Sequence, residues 1–111
     1  MTVTVKALVE GKSVENSQTT QYTATGVTTI IDKFTATNYS AAAATISVNL
    51  VASAGSAGNT NIITKTKALQ PAEVYTFPEI VGQVLNAGDF ISTIAGTASA
   101  INMRVSGREI T

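Results

Sequence analysis

The sequence predicts an all-β fold, a β-sandwich or jelly roll, on three observations. Thr, Val and Ile, the β-branched residues that suit a pleated surface and lose rotamer freedom in a helix, are abundant throughout. Short stretches alternate apolar and polar residues with a period of two. Gly, Asn, Ser and Pro stand between those stretches, where turns need them. About seven or eight short strands fit this spacing, with one short helix near residues 78–86. The length of 111 residues predicts a single domain, 1–111, with one modest core.

The elements follow in chain order. Val3 and Val5, continued by Ala7 and Val9, form the first strand, which Glu10-Gly11-Lys12-Ser13 closes as a turn. "TTIIDKFTATN" places Ile30, Phe34 and Ala36 on one face, with Asp32 in the same row. In "AAAATISVNLV" the alanines lead into a strand, because Ile46, Val48 and Leu50 then alternate with Thr45, Ser47 and Asn49. "SAGSAGN", residues 53–59, is a small flexible loop. In "NIITKTKAL" the lysines Lys65 and Lys67 mark an edge strand guarded against unwanted pairing. "EVYTF" and "DFISTIA" are further strands, and "INMRVSGREI" turns Ile101, Met103 and Val105 inward and Asn102, Arg104 and Ser106 outward. Between them, "PEIVGQVLNAGD" has Pro78 and Glu79 where a first helical turn favours them, and Ile80, Val81, Val84 and Leu85 at helical spacing.

Composition narrows the chemistry. Without His or Cys the chain lacks the usual general base, the thiolate nucleophile, disulfides and the common zinc ligands. Its carboxylates, Glu10, Glu15, Asp32, Glu73, Glu79, Asp89 and Glu109, are scattered singly, with no calcium-loop pattern. No catalytic, cofactor or metal site is therefore expected, and the chain reads as a non-enzyme. Three local resemblances fail on spacing or context. "GKS" at Gly11-Lys12-Ser13 has Lys6 where a phosphate loop needs its first glycine, "GSAG" lacks nucleophile-elbow spacing, and "NYS" at Asn38 matters only in a secreted eukaryotic protein.

Charged residues make up 13% of the chain, against about 25% in ordinary soluble domains. The net charge is zero and aromatic residues are only 5%. Neither nucleic acid nor an anionic membrane finds a basic surface here, and no segment approaches the roughly 18 apolar residues of a membrane-spanning helix. "MTVTVKALVEGKSVE" shows no secretory pattern, so the expectation is a soluble protein made in a cell's cytoplasm. Tyr22, Tyr39 and Tyr75 are assigned to core or interface duty, because few aromatics exist to fill a core. Rows of Thr, Ser, Asn and Ala make uncharged faces that pack on another protein without desolvating charge.

The second half of the chain carries a family resemblance. Leu69-x-Pro71, Pro78-Glu79-Ile80-Val81-Gly82, Gly88-Asp89-x-Ile91 and Val105-Ser106-Gly107-Arg108-Glu109 resemble the capsid decoration, or staple, proteins of short-tailed bacteriophages of the epsilon-fifteen kind. The first half agrees in β character alone. The resemblance implies a jelly-roll-like domain present in many copies on the outer surface of the phage head, clamping neighbouring major capsid protein subunits as a homodimer or other homo-oligomer. The contact residues expected are Lys65, Lys67, Arg104 and Arg108, with the two chain ends, Met1, Thr2 and Val3 and Glu109, Ile110 and Thr111. Those ends either reach across a subunit boundary or serve as strands of the domain's own sheets. A tail or head-to-tail joining protein and a carbohydrate- or receptor-binding module are the rival readings.

Overall fold

A computed structural model describes all 111 residues. The strands are β1 (Val3–Ser13), β2 (Thr19–Thr23), β3 (Thr28–Asn38), β4 (Ala44–Val51), β5 (Ile62–Leu69), β6 (Val74–Tyr75), β7 (Val84–Leu85), β8 (Phe90–Ala95) and β9 (Ile101–Ile110). They form two antiparallel sheets. The first runs β1-β9-β3-β6, with β7 also paired to β3, and the second runs β2-β8-β4-β5. The all-β sandwich expected from the alternating pattern is the fold, with nine strands.

One core lies between the sheets. Ile31, Phe34, Ala36, Met103 and Val105 point inward from the first sheet, and Ile46, Val48, Ile91 and Ala95 from the second. Phe34 packs on Phe77 with ring centroids 4.4 Å apart, and Phe77 on Tyr75 at 4.6 Å, both tilted. Tilted aromatic pairs add about 0.5–1.5 kcal/mol beyond the area they bury. A chain this poor in aromatics concentrates them here, where they do most for stability. β9 keeps the strict period of two read from its sequence, with Ile101, Met103 and Val105 buried and Asn102 and Arg104 exposed.

Elsewhere bulges change the faces. A bulge shifts every later side chain by one position, which with a period of two means the other face. In β3 the register slips between Ile31 and Lys33, so Ile31, rather than Ile30, joins Phe34 and Ala36 in the core. The slip expels Asp32 and Lys33 into solvent, which removes the misplaced charge that the simple alternation implied. In β1 the expected turn at Glu10–Ser13 is a second bulge inside a strand of 11 residues, with Gly11 at φ 122°. Only glycine takes that conformation without strain. A further slip between Ala7 and Val9 lets both Leu8 and Val9 reach the core, whereas Val3 and Val5 face outward.

The expected helix over 78–86 is absent. Phe77 at φ 48° and Gly82 at φ 92° bracket a single turn, in which the amides of Ile80 and Val81 both bond to the Phe77 carbonyl. The chain then returns to β3, through Gly82 to Ile31 and Ile31 to Gln83. Pairing with β3 satisfies backbone groups that a helix this short would leave open. The loop before β5 is tied down: Asn49 donates to the Gly58 carbonyl and to Asn61 Oδ1, and Asn61 donates to the Ser56 carbonyl.

Candidate functional site

The chain ends form one surface. β1 and β9 pair with Val3 opposite Ile110, Thr4 opposite Glu109 and Val5 opposite Arg108, and the Thr111 amide bonds to the Thr2 carbonyl at 3.0 Å. Of the two alternatives for the ends, the structure takes the second: they are strands of the domain's own sheet. On the sheet's outer face Val5, Arg108, Ile30 and Val84 stand in one row across β1, β9, β3 and β7. Val5 is 78% exposed and Val84 51%, with Val3 at 49% beside them. These are large fractions for valine, and together they make an apolar surface that the chain itself leaves uncovered.

A charged clasp sits within that surface. Arg108 donates through Nε and Nη2 to the two Asp32 oxygens, at 3.0 and 2.9 Å. The planar fork matches the carboxylate, and Asp32 holds the guanidinium still more firmly protonated. Because Asp32 lies in the β3 bulge, the bulge that settles the core also supplies the clasp. Arg104 projects from the same face of β9 and donates to the Glu10 carbonyl at 2.6 Å, using the β1 bulge as its acceptor.

Glu109 turns the other way. It accepts from the Tyr22 hydroxyl and lies 3.4 Å from Lys6 Nζ, while Thr29 Oγ1 and Tyr22 OH are 2.7 Å apart. Burial, reinforced by the bond to Glu109, pushes the Tyr22 phenol up to about 12. This polar layer closes the end of the sandwich beneath the chain termini. The expected contact residues thus divide. Met1, Thr2, Val3, Arg108, Ile110 and Thr111 come together, with Arg104 farther along the same strand and Glu109 just below.

Lys65 and Lys67 lie on the other sheet. β5 is its edge strand, as the lysines suggested. Lys67 Nζ sits 4.8 Å from the Tyr75 ring centroid, a cation–π contact, and so bridges the edges of the two sheets. Beneath it Glu79 accepts bonds from Thr64 Oγ1 and, at 2.7 Å, from Tyr75 OH. Burial works to raise the Glu79 carboxyl, but those two bonds outweigh it and hold the group below its ordinary value. The bond to Glu79, with burial, pushes Tyr75 up to about 12. Helix reasoning assigned Glu79 to a helix end; it joins β5 to the turn before β7.

The tyrosines follow the assignment to packing. Tyr22 and Tyr75 lie against the core, and only Tyr39 is largely exposed, with its hydroxyl 2.7 Å from Ser13 Oγ. Lys12 of the phosphate-loop-like triplet bonds to Glu15 at 2.8 Å. Asn38 of the sequon is fully buried and donates to the Ala42 and Leu69 carbonyls. Glu15, Asp32, Glu73, Glu79, Asp89 and Glu109 each accept a hydrogen bond from the chain itself. No group of three or more acidic side chains gathers where it could hold a metal ion. Comparison with protein-family models, with curated proteins and with solved structures returned no match.

Proposed function

We propose that this chain is a non-enzymatic structural protein of a phage virion, which binds the outside of the assembled head and clamps neighbouring major capsid subunits. The observation that carries the proposal is the outer face of β1, β9, β3 and β7, where Val3, Val5 and Val84 stand exposed around the Arg108–Asp32 clasp. Burying such a face against another protein removes apolar area from water at about 25 cal/mol per Å² and takes the Arg108 and Asp32 charges in as a matched pair. The resemblance of the second half to decoration proteins supplies the partner, and it supplies the homodimer or other homo-oligomer as the form on the shell.

The mechanism is mass action. A protein that binds the assembled shell and not free subunits stabilises the shell by its binding free energy, and many modest contacts on one lattice add up. Pelleting with shells that lack the protein tests the assignment of the face. Val5→Asp and Arg108→Ala are expected to abolish or sharply weaken binding, while Lys65→Ala, on the opposite sheet, binds as wild type. Equal binding by all three variants would refute it.

A further inference from the structure

The outer face of the second sheet holds a shallow depression of about 180 Å³, lined by Gln18, Ser47, Asn49, Thr66 and Ile94 among others. A second hollow of about 130 Å³ shares Ser47, Thr66 and Ile94 with it, so the two form one groove. Ser47 and Asn49 project from the outer face yet are only 7% and 3% exposed, Asn49 tied to the Gly58 carbonyl of the loop after β4 and Ser47 to the Thr66 amide of β5. Side chains held this way are positioned before any ligand arrives.

Their hydrogen-bonding capacity is only partly used. Asn49 spends both amide hydrogens, on the Gly58 carbonyl and on Asn61 Oδ1, while its own Oδ1 accepts nothing from the chain. That oxygen is open to the groove, since no side-chain polar atom sealed from solvent lacks a partner. Ser47 Oγ accepts from the Thr66 amide at 2.8 Å, and its hydroxyl hydrogen has no acceptor on the chain. Gln18 gives its amide to Ser92 Oγ at 2.8 Å and leaves Oε1 unused. The groove therefore offers two acceptors, a hydroxyl donor in the neighbouring row, and the branched apolar side chain of Ile94.

We propose that this groove binds a neutral saccharide of one or two rings. Sugar hydroxyls both donate and accept, so they satisfy Asn49 Oδ1 and the Ser47 hydroxyl together, and the C–H face of a pyranose packs on Ile94. Lys65 is the one charged side chain in the lining, but the two free carbonyl oxygens disfavour an anion. No carboxylate lines the groove to favour a cation. Specificity comes from Asn49: a ligand without a hydroxyl at that point leaves a desolvated oxygen unpaired. The site lies on the opposite sheet from the proposed capsid-binding face and is independent of it.

The test is an amide-resolved NMR titration of the free 111-residue chain with maltose, cellobiose, mannobiose and chitobiose. Saturable shifts confined to residues such as Ser47, Asn49, Gly58, Thr66 and Ile94 are expected with at least one disaccharide. Ile94→Arg, which fills the groove, is expected to abolish them, and Ser47→Ala to weaken affinity about tenfold, the worth of one hydrogen bond. Ser47→Ala removes a single hydroxyl and reads the same contact if Ile94→Arg fails to fold. Absence of saturable shifts with all four sugars, or shifts of unchanged affinity in the variants, overturns the proposal.

Discussion

Gly107 is the tightest point in the first sheet, and replacing it tests the packing directly. It is buried in the middle of β9, opposite Lys6 on one side and Ile31 on the other. A Cβ added there would lie 2.3 Å from the Ile30 carbonyl oxygen and 3.0 Å from Leu8 Cδ1. The leucine can swing away, but the carbonyl is part of the β3 backbone. Ordinary C···O contacts begin near 3.3 Å, so β3 and β9 must separate by about 1 Å at this point. Overpacking of this kind costs about 1–3 kcal/mol, and a weakened ladder bond adds about 1. The reduced freedom of alanine in the unfolded chain returns about 0.4–1 kcal/mol. The net loss expected for Gly107→Ala is therefore roughly 1–3.5 kcal/mol, centred near 2, or a fall in melting temperature of about 10 °C for a domain of this size. Thermal unfolding followed by circular dichroism measures it, with Gly58→Ala as control, because nothing lies within 4 Å of a Cβ at Gly58. A Gly107→Ala protein that melts within a few degrees of wild type would show that the strands are not locked together here.

Other outcomes follow from the same structure. Phe34→Ala removes the fully buried ring that packs on Phe77 and is expected to lower stability by about 3–5 kcal/mol in denaturant unfolding, whereas Tyr39→Phe, at an exposed position, changes it by less than about 0.5. Stability is expected to fall at both extremes of pH. Glu15, held down by its bonds to Lys12 and Gln21, and Glu79 have folded values below 4.5, so their contribution is complete above that value and is lost as pH drops through the folded values. Tyr22 and Tyr75 are raised from 10 to about 12, so the stability linked to them is present below pH 10 and is lost as pH climbs toward 12. Urea midpoints across pH measure both limbs, and Tyr22→Phe is expected to flatten the alkaline one. Replacing Arg108 by Lys keeps the charge but not the fork, and is expected to weaken shell pelleting while moving the melting temperature little.

How much of this was legible depended on whether the backbone kept its period. β9 could be read residue by residue, because it alternates without interruption and buries one face, and in β4 Ile46 and Val48 point inward as read although that strand is covered on both sides. β3 could not, because the slip between Ile31 and Lys33 exchanges faces in mid-strand. The signal lay in the Asp32-Lys33 pair, whose charges no inward row can hold, and treating it as a bulge would have placed Ile31 in the core. Gly11 gives a similar but ambiguous signal, since a glycine beside polar residues suits a bulge and a turn alike. The segment after Pro78 misled because Ile80, Val81, Val84 and Leu85 have helical spacing, yet only Ile80 and Leu85 are buried. Gly82 broke the helix at the position where its low propensity warned of it.

The surfaces were legible in part. Arg104 and Arg108 share a face because β9 alternates, and sequence suffices to see that. That the two chain ends pair, and that β7 brings Val84 beside Ile30 in the row that holds Arg108 and Val5, depends on contacts between distant segments that local periodicity does not encode. The groove on the second sheet was visible only as the polar half of "ATISVNLV". The segment 53–59, expected from composition to be a flexible loop, is tied to Asn49 through the Gly58 carbonyl and walls one side of the hollow.

The central claim is that the protein clamps an assembled shell, and the most direct measurement is the melting temperature of shells lacking the protein as purified protein is added to saturation, with the bound copies counted. The account predicts saturable binding near one copy per major capsid subunit and a melting temperature that rises with occupancy. Binding at only a few copies per shell would point to a joining protein, and binding without a rise in melting temperature would contradict the clamp.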